Sequence, residues 1–368
     1  MQTEPLPLQS ITYDAAADAV DIIDQTLLPH QLSHVRLQSL EHACHAIQAM
    51  QVRGAPLIGI TAAFGLYFAL RDGILLERAS STLAATRPTA VNLRWALRRV
   101  ELAVDGADPG SDTAARALRE ALQLQAEDAA ACSAIGDHGL ALLESLWQEK
   151  RERDPAATRL NILTHCNTGW LATAEWGTAL APIYKAHARG IPLHVWVDET
   201  RPRSQGASLT TWELGARSVP HSLIVDNAGG HLMQQGEVDV CLVGSDRTAA
   251  NGDVCNKIGT YLKALAAADN DLPFYVALPV STIDFELPAG VGQIPIENRS
   301  ADEVHRVAGI DEEGRLRRVR ISPEGCPADN PGFDVTPARL ISGLITERGV
   351  HEASAAGIAA LHPDRSGI

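Results

Sequence analysis

Short apolar segments alternate with helix-like stretches throughout the second half of this chain of 368 residues. Because a strand, a crossover helix and the next strand form one unit, this alternation predicts a parallel sheet flanked by helices. The fold class predicted here is α/β, with a Rossmann-like sheet. The predicted strands are 160–163, 193–197, 222–225, 238–243 and 274–278. The predicted helices are 170–189, 206–216, 229–236, 257–268 and 335–346.

The first half of the chain has a different pattern. Strand-like segments at 10–13 and 19–24 come before Ala- and Leu-rich sequence with helical periodicity. The chain is too long for one small core, and the charged run at 149–155 is a natural boundary. We therefore predict an N-terminal mainly helical domain with a small strand cap at 1–150, followed by the Rossmann-like domain at 151–368.

The net charge of −14 limits the partners that the chain can have. Nucleic acids and anionic membrane surfaces attract basic proteins, so neither is expected to bind this acidic chain. A small anionic substrate is still compatible, because a pocket can be basic within an acidic protein. No apolar run reaches about 18 residues, and the start Met1–Pro5 lacks the pattern of a signal peptide. The cytoplasm is therefore the expected location.

The six cysteines are widely spaced and include no CxxC pair, so we expect neither a disulfide framework nor a zinc site. The motifs GxGxxG, GxxxxGK[ST] and HExxH are also absent from the sequence. Dinucleotide-binding, P-loop and zinc-protease interpretations therefore have no support.

Each predicted strand of the second half leads directly into a cluster of polar residues. Ligands of open α/β sheets bind outside the carboxyl ends of the strands, which lie along one edge of the sheet. We therefore expect these clusters to converge on a single site. The clusters are 164–169, 198–206, 226–227, 244–246 and 279–284.

The stretch 241–260 combines several chemical groups in one loop. Asp246 follows a strand, whereas Asn256 and Lys257 begin a predicted helix whose free N–H groups suit a phosphate. The carboxyl group of Asp246 does not suit an anion and is better suited to handling a proton. The alternative is an ordinary solvated loop, since Asp, Asn and Gly are common turn formers.

Cys166 lies between a predicted strand and a predicted helix, a setting that favours a thiolate base or nucleophile. The alternative is a small buried apolar side chain, which is what most lone cysteines are. The neighbouring His165 is a candidate general base with no identifiable partner. Asp198 and Glu199 are candidates for orienting a basic side chain, or for holding Mg²⁺.

Arg53, Gly54 and Pro56 form a candidate anion site in the first half of the chain. Pro56 suits the first turn of a helix, Gly54 permits close approach of a ligand, and Arg53 precedes the helix start. The alternative is a plain turn into a buried helix. Gln205 and Lys257 are further candidates for holding a phosphate.

Motifs spread over most of the chain resemble those of the methylthioribose-1-phosphate isomerase family. The same group includes the regulatory α, β and δ subunits of the translation initiation guanine-nucleotide-exchange factor. No single motif is specific, but the set is. It consists of Arg53–Pro56, Ala90–Trp95, Leu163–Gly169, Glu199–Pro202 with Gln205–Gly206, Gly244–Arg247, Asn251–Asp253, Asn256–Thr260, Ser281–Asp284 and Ile296–Glu297.

The resemblance implies an aldose–ketose isomerase of methionine salvage that converts 5-methylthioribose 1-phosphate to 5-methylthioribulose 1-phosphate. It also implies a homodimer without metal, nucleotide or other cofactor. Cys166 and Asp246 would be the catalytic pair. The substrate-binding residues would be Arg53, Gly54, Ala55, Arg94, Gln205, Asn256 and Lys257.

The chemistry of the two catalytic candidates fits the implied reaction. The anomeric carbon carries a phosphate ester, so the sugar ring cannot open as that of a free aldose does. An acid must protonate the ring oxygen, and Asp246 would do so if burial keeps it protonated. Hydrogen must then move from C2 to C1, either as a proton carried by Cys166 or as a hydride, with Cys166 only stabilising charge.

Three residues depart from the family pattern, none at a catalytic position. Ser208, Ala228 and Cys255 stand where arginine, methionine and alanine are usual. They leave room for a different 5-substituent, as in 5-deoxyribose 1-phosphate.

Two other functions are compatible with the same fold. One is a non-catalytic regulatory subunit that binds a sugar phosphate or nucleotide, although the presence of both Cys166 and Asp246 favours an enzyme. The other is an isomerase of ribose 1,5-bisphosphate. It would need a second phosphate site, and no additional basic cluster is evident.

Overall fold

A small antiparallel sheet followed by helices begins the fold. The computed structural model describes residues 9–87, 91–105 and 112–362, so Ala90 of the motif Ala90–Trp95 and the start Met1–Pro5 lie outside the described residues. The predicted strand cap has a third strand that the sequence did not indicate. The elements are β1 (Ile11–Asp14), β2 (Ala19–Ile23), β3 (His34–Leu37), α1 (Leu40–Gln48), α2 (Ala55–Arg71), α3 (Leu76–Ala84), α4 (Val91–Val104) and α5 (Thr113–Arg153).

α2 is the central helix of this part of the protein because it is apolar on all sides. A helix of this kind is stable only when protein surrounds it, and α2 packs against α1, α3, α4 and α5. Gly54 precedes the helix and Pro56 lies in its first turn, as the sequence predicted. The N-terminus of α2 is thereby fixed at a partly buried position, with Gly54, Ala55 and Pro56 each still partly exposed.

α5 contributes to two hydrophobic cores. Ala117 and Leu124, in its first half, pack with α2 and α4, whereas Ile135 and Leu143 pack against the large sheet. The helix begins at Asp112, whose side chain accepts the N–H of Ala115, and it runs through position 150. The division of the chain at 150 therefore stays a prediction. No helix within the described ranges is both long and apolar enough to cross a membrane.

The second half of the chain builds a seven-stranded sheet that contains all five predicted strands. Its order is β16-β15-β10-β7-β4-β5-β6, parallel except for the edge strand β16. The mixed α/β class is thus confirmed. The second half also contains strands of two smaller sheets. Its strands in chain order are β4 (Leu160–Thr164), β5 (Leu193–Asp198), β6 (His221–Ile224), β7 (Val240–Val243), β8 (Arg247–Ala249), β9 (Val254–Lys257), β10 (Phe274–Ala277), β11 (Ile283–Asp284), β12 (Arg306–Ile310), β13 (Leu316–Arg320), β14 (Phe333–Thr336), β15 (Gly343–Thr346) and β16 (Gly349–His351).

The helices of this half cover the sheet but differ from the prediction in places. Of the helix predicted at 170–189, only a 3-10 turn at 170–172 and a later helix form. The helix predicted from 257 begins at Thr260, because Asn256 and Lys257 end a strand. The helices are α6 (Leu180–Ala188), α7 (Thr211–Ala216, after a π-helical turn), α8 (Ala228–Gln234), α9 (Thr260–Asp269), α10 (Asp302–His305) and α11 (Ala355–Ala360).

The prediction of a helix at 335–346 is wrong. The segment forms the end of β14, a 3-10 turn at 338–340 and β15. β15 is buried on both faces, so its residues lack the alternation that identifies a half-exposed strand. β14 pairs antiparallel with β9 in a small second sheet of order β11-β8-β9-β14. This second sheet forms one wall of the site described below.

Candidate active site

Two neighbouring cavities open near the N-terminus of α2. The larger, about 1140 Å³, lies beside α4 and α5 and is lined by neither Cys166 nor Asp246. The smaller, about 90 Å³, is the candidate site because chemical groups converge there. Its walls hold all the predicted site residues except Arg94, namely Cys166, Asp246, Arg53, Gly54, Ala55, Gln205, Asn256 and Lys257.

The loop after β4 presents Cys166 to the cavity in a left-handed backbone conformation. Its φ is +66°, a region that non-glycine residues seldom occupy. The Cys166 N–H donates to Thr200 Oγ1 at 2.8 Å, and its carbonyl oxygen accepts from Thr210 Oγ1 at 2.7 Å. The residue is only 5% exposed. The surrounding loops therefore fix the thiol in a nearly dry wall.

The positive charge near this thiol does not come from a helix end. Only a 3-10 turn follows Cys166, so the helix that was predicted to stabilise a thiolate is not formed directly after it. The ammonium of Lys257 interacts electrostatically with Cys166 instead. A lysine carries a full positive charge at one point, whereas a helix end carries only about half a charge.

Arg53 is held at the cavity by Asn167. Its guanidinium donates to Asn167 Oδ1 at 2.5 Å and to the Asn167 carbonyl oxygen at 2.6 Å. Asn167 donates in turn to the buried Glu213 at 2.8 Å. Burial raises the pKa of Glu213, and its hydrogen bonds from Asn167 and Tyr184 lower it. Sequence analysis missed Glu213. The only indication of its importance in the sequence is that it is a charged residue in an otherwise uncharged helical segment.

The start of α2 brings the backbone itself to the cavity. Gly54 has a φ of +94°, and a Cβ at this position would lie 2.3 Å from the carbonyl oxygen of Ala172. Only glycine fits here, because a side chain would be strained and would also collide with the backbone. The first N–H groups of a helix lack intrahelical partners, so this end of α2 suits an anion.

Lys257 and Asn256 enter the cavity from β9. Lys257 pairs with Phe333 of β14, and its ammonium lies 4.3 Å from the centre of the Phe333 ring and donates to the Gly332 carbonyl oxygen at 3.1 Å. Burial lowers the pKa of Lys257, whereas Cys166 and Asp246 raise it. The groups around this buried ammonium offset only part of its cost of desolvation, so the site favours an anionic ligand.

The N-terminus of α9 is not the phosphate site that the sequence predicted. The carboxylate of Asp334 accepts the N–H of Gly259 at 2.7 Å and that of Tyr261 at 3.1 Å. These N–H groups are therefore already satisfied within the protein. The contribution of this segment to the cavity comes from the strand residues before the helix.

Asp246 lies in the turn that joins β7 to β8. Burial raises the pKa of its carboxyl group, and Lys257, Arg53 and Arg87 lower it. The backbone N–H of Asp246 donates to the Cys255 carbonyl oxygen at 2.9 Å, which fixes the turn. The raised pKa favours the neutral acid, which is the direction that protonation of a ring oxygen requires.

Three oxygen atoms of the cavity wall are buried without a hydrogen-bond partner among the described residues. They are Thr168 Oγ1, Gln205 Oε1 and Thr282 Oγ1. Buried polar atoms without partners are costly, so a ligand that donates hydrogen bonds would stabilise them. Sugar hydroxyl groups are donors of this kind. Gln205 was predicted individually, whereas Thr168 and Thr282 were noted only as members of motifs.

Arg87 and Arg94 line different cavities. Arg94 is exposed on α4 and lines the larger cavity. Arg87 lines the smaller cavity, and its guanidinium lies 3.2 Å from Glu297 Oε2. Arg87 Nε is buried and has no partner among the described residues. The two arginines flank the same motif, and the sequence named only Arg94, whose part in substrate binding stays a prediction.

One cluster has the side chains of a metal site but does not fit a metal. His165, Asp198 and Asp226 bring ligand atoms close together. The ammonium of Lys263 lies 3.3 Å from Asp198 Oδ2, and both ring nitrogens of His165 already have partners. A resident cation would repel Mg²⁺, so this cluster is better described as a buried ion-pair group. Asp198 thus orients basic side chains, one of the two roles considered for it.

The sequence comparisons match this chain over nearly its full length. The family model described as the initiation factor 2 subunit family matches residues 51–353. A methylthioribose-1-phosphate isomerase from Methylorubrum populi is 56% identical over 368 residues, which cover 99% of each chain. One from Rhodospirillum rubrum is also 56% identical, over all of this chain and 94% of its own length.

Solved structures extend the likeness to the fold. The crystal structure of 5-methylthioribose 1-phosphate isomerase from Pyrococcus horikoshii has a TM-score of 0.81 and 37% identity, and the match covers 98% of each chain. A structure of the translation initiation factor eIF-2B subunit delta from A. fulgidus has a TM-score of 0.75 and 35% identity, covering 94% of this chain and 96% of its own. The same architecture therefore occurs under both descriptions.

Proposed function

This chain belongs to the initiation factor 2 subunit family, among the methylthioribose-1-phosphate isomerases, and on this basis we propose that it converts 5-methylthioribose 1-phosphate to 5-methylthioribulose 1-phosphate. It is an aldose–ketose isomerase. The observation that carries the proposal is that Cys166 and Asp246 line the same cavity as Arg53 and Lys257. A regulatory protein that only binds a sugar phosphate would need the cations but not the acid and the thiol.

The phosphate is bound where the positive charges meet. Arg53, Arg87 and Lys257 all line the cavity, and Gly54 lets the phosphate approach the N-terminus of α2. The ammonium of Lys257 is buried with few compensating partners, so a phosphate dianion offsets part of its desolvation. We propose that Arg87 rather than Arg94 contacts the phosphate, because Arg87 lines this cavity and Arg94 lines the larger one. Gln205 and Asn256 bind hydroxyl groups of the sugar.

Asp246 supplies the proton that opens the ring. The bond between C1 and the ring oxygen breaks as Asp246 protonates that oxygen, which leaves positive charge on C1. Burial keeps the pKa of Asp246 above its usual value, so a larger share of the carboxyl groups is protonated when substrate binds. Lys257 and Arg53 limit this increase and make the carboxylate that remains after proton transfer more stable.

Cys166 acts on the hydrogen that moves from C2 to C1. In one route the thiolate removes the C2 proton and returns it to C1. In the other, the hydrogen moves directly as a hydride, and Cys166 stabilises the positive charge at C1. In both routes the C2 hydroxyl loses its proton to the Asp246 carboxylate as the C2 carbonyl forms, which restores the acid. The nearly dry wall around Cys166 favours both, because it excludes water that would capture the cation.

The two routes differ in the fate of deuterium placed at C2. A hydride shift keeps all the deuterium at C1, whereas a proton carried by a thiol exchanges with solvent in at least part of the turnovers. Turnover of C2-deuterated substrate in ordinary water, followed by mass spectrometry of the ketose, measures this. Complete retention supports the direct shift, and partial or full loss supports the thiol route.

The finer points of architecture and location are part of the same proposal. We infer a helical N-terminal domain, a Rossmann-like catalytic domain, a homodimer and a cytoplasmic location, all from the resemblance to the isomerase family. The seven-stranded sheet with parallel neighbours supports the Rossmann-like description. Sedimentation equilibrium of the purified chain at micromolar concentration tests the dimer.

The proposed function is tested with two sugar phosphates side by side. We expect wild-type protein to form ketose from 5-methylthioribose 1-phosphate. Preference for 5-deoxyribose 1-phosphate by at least about tenfold in kcat/KM would change the natural substrate and keep the mechanism. Turnover of neither sugar, with binding of a sugar phosphate retained, would contradict the proposal and favour a regulatory subunit.

A further inference from the structure

His165 is buried beside Cys166, and the mechanism above does not use it. Its side chain is 1% exposed and is not part of the cavity wall. Nδ1 lies 2.8 Å from Asp198 Oδ2, and Nε2 lies 2.8 Å from the carbonyl oxygen of Ile258. Both ring nitrogens are thus engaged away from the cavity. This arrangement argues against the general-base role that the sequence suggested for His165.

The contact with Ile258 determines the hydrogen on one ring nitrogen. A carbonyl oxygen can only accept a hydrogen bond, so Nε2 donates to it. Nδ1 lies 2.8 Å from Asp198 Oδ2, which also lies 3.3 Å from the ammonium of Lys263. Asp198 therefore holds His165 and Lys263 beside each other.

Charged side chains face the ring from the surrounding elements. Asp198 comes from β5, and Asp226, in the loop after β6, has a carboxylate oxygen 3.9 Å from Nδ1. Asp334 of β14 interacts electrostatically with the ring, and burial raises the pKa of Asp334. Lys263 of α9 supplies a positive charge. The ring is thus held within a buried polar group that spans several elements.

The ring also joins the two loops that carry reacting groups. His165 precedes Cys166 at the end of β4, and Ile258 follows Lys257 at the end of β9. Gly259 has a φ of +103°, and a Cβ there would lie 2.9 Å from His165 Cε1. The backbone of the β9 loop therefore packs directly against the ring, and the sequence at Gly259 allows this contact.

We propose that His165 is a positioning residue, which joins the Cys166 loop to the Lys257 loop through its hydrogen bonds to Asp198 and Ile258. Its effect on turnover rests on the proposed function, whereas the hydrogen bond to Ile258 does not. Small errors in the placement of reacting groups reduce rates strongly, so loss of this connection lowers kcat more than it changes KM.

The hydrogen bond to Ile258 is measured directly by nitrogen NMR of protein labelled in its histidines. We expect the signal that is missing from His165→Gln to show a hydrogen on Nε2. A His165 ring with a bare Nε2 would overturn the proposal, whether or not the protein is an isomerase.

The positioning role is tested by steady-state kinetics. We expect His165→Gln to lower kcat about 10- to 100-fold with KM changed less than about 3-fold. His194→Gln is the matched control, since His194 is a buried histidine on β5 that pairs with Ser222.

Two kinetic results would contradict the positioning role. One is a loss of kcat in His165→Gln no larger than that in His194→Gln. The other is loss of a limb from the pH profile of kcat in His165→Gln, which would mean that His165 exchanges a proton during the reaction. A fully inactive wild type with a hydrogen on His165 Nε2 would reject the proposed function and leave the hydrogen-bond assignment intact.

Discussion

Asp246 and Lys257 face the same cavity, and burial shifts their pKa values in opposite directions. Burial raises the pKa of Asp246 and lowers that of Lys257, since it favours the neutral form of each group. Their mutual attraction opposes both shifts. The result is a site in which a neutral acid and a cation can coexist. The balance between the neutral and the ionised form of Asp246 depends on the guanidinium groups of Arg53 and Arg87.

Arg87 and Arg94 offer a matched test of which arginine belongs to this site. Arg87 lowers the pKa of Asp246, so Arg87→Gln lets that pKa rise and moves the high-pH limb of kcat to higher pH. It also removes a charged contact to the phosphate, which raises KM about 10-fold or more. Arg94→Gln is expected to change neither quantity.

The measurement is a pH profile of kcat and KM for the two variants beside wild type. An Arg94→Gln variant with the higher KM, or an Arg87→Gln variant with an unshifted limb, would contradict the assignment. The sequence named only Arg94, because it does not show which cavity each arginine lines.

Glu213 supports the site through several hydrogen bonds. Its carboxylate accepts from Asn167, from the Tyr184 hydroxyl at 2.7 Å and from the N–H groups of Trp170 and Leu171 at 3.0 and 3.2 Å. Glu213→Gln places an NH₂ group against these donors, and we expect it to lower the free energy of unfolding by about 1–3 kcal/mol. Chemical denaturation measures this.

Glu144, whose side chain is 43% exposed and which pairs loosely with Arg189 at 3.6 Å, is the control for Glu213. Glu144→Gln is expected to change stability by less than about 0.5 kcal/mol. Equal effects of the two substitutions would show that the hydrogen bonds to Glu213 contribute nothing. Such a result would also remove the support that Glu213 gives to Asn167 and Arg53.

At the scale of elements, the N-terminus of α2 shows how a backbone position can be read from sequence. The motif Arg53–Pro56 predicted a helix start with close backbone approach, and Gly54 has the positive φ that this requires. The starts of α9 and β15 were not predictable in the same way. Their residues have apolar spacing compatible with a helix or a buried strand, and only pairing across the sheets decides between them.

Gly54 and Gly73 form a matched pair for a substitution test. Both have positive φ, but a Cβ at Gly54 would meet the Ala172 backbone at 2.3 Å, whereas nothing lies within 4 Å at Gly73. We expect Gly73→Ala to cost about 1 kcal/mol of stability from backbone strain alone. Gly54→Ala should cost at least about 2 kcal/mol more and raise KM, because the α2 terminus must move.

Thermal unfolding and steady-state kinetics of the two glycine variants give both readouts. Equal losses of stability would contradict the close contact between Gly54 and Ala172. An unchanged KM in a folded Gly54→Ala variant would show that the end of α2 does not bind the substrate.

At the scale of the whole molecule, α5 joins the two hydrophobic cores, and Asp128 lies near its middle. The Asp128 carboxylate accepts the N–H of Ala174 at 2.7 Å. Burial raises its pKa to about 7, and Glu347 adds to the increase. The sequence predicted the sheet strands of the second core well, because five apolar segments marked them. It did not show that one helix belongs to both cores, since nothing in a local pattern reports distant packing.

Asp128 makes stability depend on pH in a defined direction. Between about pH 4 and 7 the folded protein keeps a proton that the unfolded chain releases, so the free energy of unfolding falls as pH rises. We expect a decrease of about 2 kcal/mol, limited because part of the side chain faces the larger cavity. Asp128→Asn should remove this decrease. The free energy of unfolding of the variant minus that of wild type, measured by denaturation, should therefore be higher at pH 8 than at pH 5. The same value at both pH values would contradict the raised pKa of the buried carboxyl group.

The central claim is that Cys166 and Asp246 carry out the isomerisation. The most direct test measures ketose formation from 5-methylthioribose 1-phosphate by wild type, Cys166→Ser, Asp246→Asn and Cys255→Ala. Cys255 is the control because it is a second buried thiol in the same cavity wall, and burial raises its pKa. We predict that the first two variants lose at least about 100-fold in kcat and that Cys255→Ala stays within about 3-fold of wild type. Near wild-type turnover by Cys166→Ser or Asp246→Asn would contradict the account.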